Sequence, residues 1–182
     1  NYIDRELVPH PTRNREENLD ETVGRTLSAL AVARNSPFLG DQQARIDEFS
    51  RLAEERALSC TSLRALAHAL KAYAITFDRP NSPRKLVQVA ARMLDLYDRT
   101  ARSDWAWFEN IMSYSNGSIP EALLLAYERT REKRYKEVGL TSLNFLVKHS
   151  FVGDVCVPIG QNGWHQAGGD KAQFDQQPEE VL

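Results

Sequence analysis

From Asn18 to Ala33 the apolar residues Leu19, Val23, Leu27, Leu30 and Ala31 recur at three- and four-residue spacing. That period predicts an amphipathic helix, with Asn18 or Asp20 as its cap. The pattern breaks between Pro37 and Gly40, and Ile46, Phe49, Leu52 and Ala53 then mark a shorter helix within the irregular segment Ser36 to Ser59. Ser62 to Phe77 carries Leu63, Leu66, Ala67, Leu70, Ala74 and Phe77 and is apolar around more of its circumference, as expected of a helix buried on most sides. After the turn Asp78 to Pro83, a helix from about Arg84 to Thr100 turns Leu86, Val89, Ala90, Met93, Leu94 and Tyr97 inward. Pro120 suits a first helical turn. The helix it opens covers Glu121 to Tyr127 and ends near Arg131; another begins at Arg134 or Tyr135 and offers Val138, Leu143, Leu146 and Val147 for packing. Gln176 to Leu182 reads as the first turn of one more helix.

The fold class is therefore all-α, built of antiparallel helical hairpins. Its connections are unequal: Asp78 to Pro83 and Glu132 to Lys133 are short, whereas Ala101 to Ile119 and Lys148 to Asp175 are long. Antiparallel neighbours alternate direction, so connections two helices apart lie at the same end, and both long loops are expected on one rim. No repeat of fixed period runs through the chain, which disfavours a regular superhelical scaffold and favours an (α/α) toroid. A closed toroid takes about a dozen helices, roughly twice the number read here, so residues 18–182 are expected to be part of a longer domain. A polar arm, Asn1 to Glu17, precedes them.

The long loops hold the unusual chemistry. All three tryptophans fall there, in Asp104-Trp105-Ala106-Trp107-Phe108-Glu109 and in Pro158-Ile159-Gly160-Gln161-Asn162-Gly163-Trp164. Sugars combine a hydroxyl rim with apolar ring faces, so their sites pair aromatic platforms with carboxylates and amides. Trp105, Trp107, Tyr114 and Trp164 are candidate platforms, and Asn116, His165, Gln176 and Gln177 candidate hydroxyl binders. Glycoside hydrolysis needs one carboxyl group to protonate the leaving oxygen and a second to activate water or attack. Asp104, Glu109, Glu121, Asp175 and Glu180 are the candidates.

Plain structural readings stand beside these. Residues at i and i+2 point to different sides in helix or strand, so at least one of Trp105 and Trp107 belongs to the core. Asp104 and Glu109 can bond loop amides, Glu121 and Glu180 can complement helix dipoles, and the glycines at 160, 163, 168 and 169 can serve loop geometry. His10, His68, His149 and His165 have no metal-ligand spacing, so neither a metal nor a cofactor is expected.

Composition narrows the partners. The formal charge is −2, from 23 basic and 25 acidic residues, which argues against a nucleic-acid or anionic-membrane surface. Apolar runs such as Ala29 to Ala33 are far shorter than the roughly 20 residues of a membrane span. The arm has no apolar core of a signal peptide, and Cys60 and Cys156 form no disulfide framework, so a cytoplasmic setting is expected.

Three ordered stretches carry a family resemblance: Asp104-Trp105-Ala106-Trp107-Phe108-Glu109, Ile119-Pro120-Glu121-Ala122-Leu123-Leu124-Leu125-Ala126 and Phe174-Asp175-Gln176-Gln177-Pro178-Glu179-Glu180. They resemble the D-W-x-W-F-E, L-P-E-A-L-L-x-A and F-D-Q-Q-P-x-E motifs of a bacterial α/α-toroid domain found alone or C-terminal to glycosyltransferases. The family's P-I-G-N-x-G-W reads here with Gln161 where asparagine is usual. The resemblance runs from about Glu21 to the end and is clear from Ser62 onward. It implies a six-hairpin, glycosidase-like fold and a carbohydrate ligand, with a glycosyltransferase domain or protein as partner. Whether such a domain hydrolyses, only recognises a glycan, or acts as a protein-interaction scaffold stays open at the level of sequence.

Overall fold

A computed structural model describes residues 16–176, and over them the chain is mostly helical. The helices are α1 (Glu16–Arg34), α2 (Gln43–Ala57), α3 (Leu63–Ile75), α4 (Ser82–Thr100), α5 (Ser118–Thr130) and α6 (Lys133–Ser150). Four two-residue strands are added: β1 (Ile111–Met112), β2 (Phe151–Val152), β3 (Val155–Cys156) and β4 (His165–Gln166). Each helix expected between residues 18 and 150 is present within a few residues of its expected ends. The turn expected from Gln177 to Leu182 lies outside the described residues, and Gln176 itself bridges to Gly160 in extended backbone. No helix among the described residues is long and apolar enough to cross a membrane.

Two compact units divide after Arg92, inside α4. In the first, α3 is the central element, with ten of its thirteen residues buried. The α1 stripe of Leu19, Val23, Leu27 and Ala31 packs on it. Alanine at 65, 67, 69, 72 and 74 keeps α3 slim, and Gly24 lets α1 approach until a Cβ there would lie 2.7 Å from the Ala65 carbonyl. That contact needs glycine. The Asp20 carboxylate on α1 accepts from the amides of Thr61 and Ser62 at 2.5 and 3.2 Å, tying α1 to the turn that leads into α3. Arg92 of α4 donates to the carbonyls of Leu58 and Cys60 and fixes the preceding turn.

In the second unit α5 and α6 form a tight antiparallel hairpin. Arg131 takes a left-handed conformation at φ 59° to end α5, and the Glu132 side chain accepts from the Arg134 amide to begin α6. Leu123 and Ala126 of α5 and Val138 and Ser142 of α6 are buried, and Leu124 of α5 packs over Gly139 of α6. Segment 101–117 enters α5 at the end of this hairpin opposite Arg131, and segment 151–176 leaves α6 at that same end. The two segments pair directly: β1 and β4 run antiparallel with Ile111 opposite Gln166 and Met112 opposite His165, and the Ala167 amide donates to the Asn110 carbonyl at 2.9 Å. The alternation rule placed these loops correctly, and the ladder between them was not readable from either alone.

Candidate functional site

The paired loops are pinned by rings. Trp105 from the first loop, His165 from β4, and Phe145 and His149 from α6 form a closed cycle of contacts. Centroids are 5.2 Å apart for Trp105–Phe145, 4.4 Å for Phe145–His149, 4.6 Å for His149–His165 and 5.1 Å for His165–Trp105. Trp105 Nε1 donates to the Glu109 carbonyl at 2.7 Å, which folds its motif back on itself. Trp105 is 2% exposed and Trp107 0%. Neither indole offers a face to a ligand, so both are corrected from sugar platform to core. Trp105 fills against Phe145 of α6, and Trp107 packs edge-on to Phe108 within its own motif.

Asn116 is likewise corrected. It is fully buried, its Nδ2 donates to the Ser113 carbonyl at 2.8 Å, and its own carbonyl accepts from Ile119 at the start of α5. This amide shapes the entry to a helix. His165 is buried in the ring cycle, where its Nδ1 has no hydrogen-bond partner. Burial lowers its pKa, with Lys171 adding to the effect and the Gly169 backbone and Asp170 opposing it. His149 is lowered too, chiefly by burial and then by His165, Lys148 and Lys171. His149 was passed over in the sequence because its partner arrives only when the second loop returns.

Tyr114 and Trp164 are different. Both are half-buried, one from each loop, with ring centroids 6.0 Å apart at a 43° tilt. Trp164 has φ 57°, a left-handed conformation rarely adopted by a bulky residue. It is held there by its amide donating to the Gly160 carbonyl and its carbonyl accepting from Ala172, at 3.1 and 2.8 Å. Gly160 is equally constrained, since a Cβ there would lie 2.1 Å from the Phe174 carbonyl oxygen. Gly163 and Gly168 take positive φ, in line with their loop reading.

The carboxylates scatter in environment. Asp104 is exposed at the tip of the Arg102–Trp105 turn, 3.1 Å from Arg102 Nε. Glu121 is exposed on the first turn of α5. Asp175 is exposed at φ 59°, its carbonyl accepting from the Gln161 amide at 3.0 Å. Glu109 alone among the described candidates is half-buried, beside Trp105. Gln176 is exposed, and its Nε2 donates to the carbonyls of Pro158 and Gln173 at 3.3 and 3.4 Å. Gln177 and Glu180 lie outside the described residues.

Lys171 completes the rim. Its Nζ donates to the Val157 carbonyl at 2.8 Å, and burial lowers its pKa. No three metal-ligating side chains converge among the described residues. Against known protein families, curated proteins and solved structures, the chain gives no significant match.

Proposed function

We propose that this chain belongs to an (α/α)-toroid, six-hairpin type of domain and binds a glycan on the rim formed by its two paired loops. The observation that carries this reading is the half-exposed Tyr114–Trp164 pair, contributed by both loops at 6.0 Å, with Trp164 kept in a costly backbone conformation. Strain of that kind persists where surrounding structure over-determines it, and it clusters at binding sites. A tilted aromatic pair offers an apolar wall for a sugar face, and the exposed Asp175 and Gln176 follow in the same loop as hydroxyl partners. The ring cycle beneath makes the platform rigid before a ligand arrives.

Recognition is favoured over hydrolysis by the setting of the acids. A general acid for glycoside cleavage needs a desolvated environment, whereas Asp104, Glu121 and Asp175 stand in water. Of the described candidates only Glu109 is half-buried, which makes it the one to test for that role. Partnership with a glycosyltransferase follows from the family resemblance alone and is part of the same proposal.

Calorimetric titration with a panel of neutral oligosaccharides tests the reading. Binding that drops about tenfold or more in Trp164→Ala and Tyr114→Ala, and that survives Glu109→Gln and Asp175→Asn with no product released, fits a recognition domain. Product release abolished by Glu109→Gln converts the reading to catalysis. Absence of binding across the panel, or binding indifferent to both aromatic changes, overturns it.

A further inference from the structure

A separate cleft lies in the first unit, lined by Arg34 at the end of α1, by Asp47, Arg51 and Glu54 of α2, by Arg79 and Pro80 of the turn between α3 and α4, and by Ser82 at the start of α4. None of these residues belongs to the rim. Its charges form an alternating chain with loose joints. Arg34 Nη2 meets Asp47 at 2.6 Å, and Asp47 also accepts from Gln43 Nε2 at 3.2 Å, so that carboxylate is well supplied. Arg79 reaches it only at 3.6 Å. Glu54 is held by Lys85 at 2.6 Å and stands 3.9 Å from Arg34 Nη1. Hydrogen bonds between N–H and O fall at roughly 2.7–3.2 Å, so the two longer separations leave donors of Arg79 and Arg34 unused.

Arg34 sharpens the point. Its side chain is 10% exposed, and its Nε–H is buried without an acceptor among the described residues. That donor is closed to solvent, so what Arg34 offers the cleft is its Nη1, which Glu54 meets only at 3.9 Å. Counting the partners that the lining charges hold, four cations (Arg34, Arg51, Arg79, Lys85) face three carboxylates (Asp47, Glu54, Glu55). The nineteen-residue α4 also begins at the cleft, and the positive end of its dipole adds to the field. The balance calls for an anion.

Size and geometry select its class. The cleft measures about 160 Å³, below the roughly 300–1,000 Å³ of pockets for larger organic ligands. Donors from Arg34 and Arg79, on different elements, approach from more than one direction, which suits the tetrahedral acceptors of a phosphate better than a planar carboxylate. We infer that this cleft binds a phosphate group, free or as the terminal group of a small monoester, between Arg34 and Arg79. The phosphate takes up the donors that Asp47 reaches poorly, and Asp47 is its internal competitor.

The test is calorimetric titration of the whole chain with inorganic phosphate and with glycerol 2-phosphate, against sodium chloride and acetate at matched ionic strength. Saturable binding of phosphate is expected, weakened about tenfold or more in Arg79→Gln and strengthened in Asp47→Asn. Tighter binding of one probe than the other tells the free ion from the monoester. Arg79 is 40% exposed and Arg51 62%, so Arg79→Gln and Arg51→Gln keep the fold, checked by their melting curves. The inference is overturned if phosphate gives only the heat of sodium chloride, or if Arg79→Gln binds as the unaltered protein does. Asp47→Asn that weakens binding also overturns it. Because the rim contributes nothing to this cleft, failure of either proposal leaves the other standing.

Discussion

The imidazoles of His149 and His165 meet at a 54° tilt with centroids 4.6 Å apart, joining the last turn of α6 to the strand that closes the loop pair. Burial lowers both pKa values from 6.5, and Lys171 adds to the effect at each. The folded state therefore holds these rings neutral where the unfolded chain has begun to take up protons. By linkage, stability is fully present above pH 6.5 and is lost as the pH falls from there through the lower folded pKa values. The urea midpoint should fall between pH 7.5 and pH 5, and His149→Gln should flatten that dependence. An equal fall in the variant would show that other groups set the acid limb.

Gly160 predicts a local failure. Alanine there would drive its Cβ into the Phe174 backbone, where both the carbonyl oxygen and the amide lie under 3.0 Å. Backbone cannot give way as a side-chain tip can, so the bridge from Gly160 to Gln176 and the hydrogen bond to Ala172 should open. Hydrogen exchange should quicken in the 172–176 segment of Gly160→Ala while α5 and α6 keep their protection. Unchanged exchange would mean that the loop repacks around the methyl group.

The thiols should differ in reactivity. Cys156 is exposed, whereas Cys60 is buried, with its Sγ 3.6 Å from the carbonyls of Asp20 and Arg56. Burial first, then the Asp20 charge, pushes the Cys60 thiol up to about 12. Since the thiolate is the nucleophile, one thiol per chain should react with a disulfide reagent at neutral pH, and the second only in denaturant. Cys156→Ser should remove the fast phase.

Much of this fold was legible because helices advertise themselves by period. Leu19, Val23, Leu27 and Ala31 are buried as their spacing required, and connection length placed the two long loops at one end of the α5–α6 hairpin. The site was less legible for two physical reasons. Aromatic residues in a loop carry no periodicity, and Trp105 is buried against Phe145 of a hairpin that begins more than ten residues downstream. The partnership of His149 with His165, and the β1–β4 ladder, are contacts between segments whose local sequences say nothing of each other. The cleft around Arg34 was invisible for the same reason, since its charges come from α1, α2 and the turn before α4.

Trp105 and Trp164 should separate stability from recognition. Trp105 lies in the ring cycle and donates to Glu109, so Trp105→Ala removes a buried indole and leaves a cavity, at a cost of about 3–5 kcal/mol. Trp105→Phe keeps part of the ring and loses the hydrogen bond, with about 1–2 kcal/mol expected. Trp164 is half-buried at φ 57°, so its removal costs less packing and its backbone geometry matters more. A left-handed conformation costs an ordinary L-residue about 1 kcal/mol or more, which glycine escapes. Trp164→Gly should therefore be more stable than Trp164→Ala by about 1 kcal/mol, while both lose the glycan platform equally. Urea denaturation of the four variants gives the order, and oligosaccharide titration gives the second readout. If Trp164→Gly proves less stable than Trp164→Ala, the backbone there is not left-handed in solution, and the strain argument for the rim site falls with it.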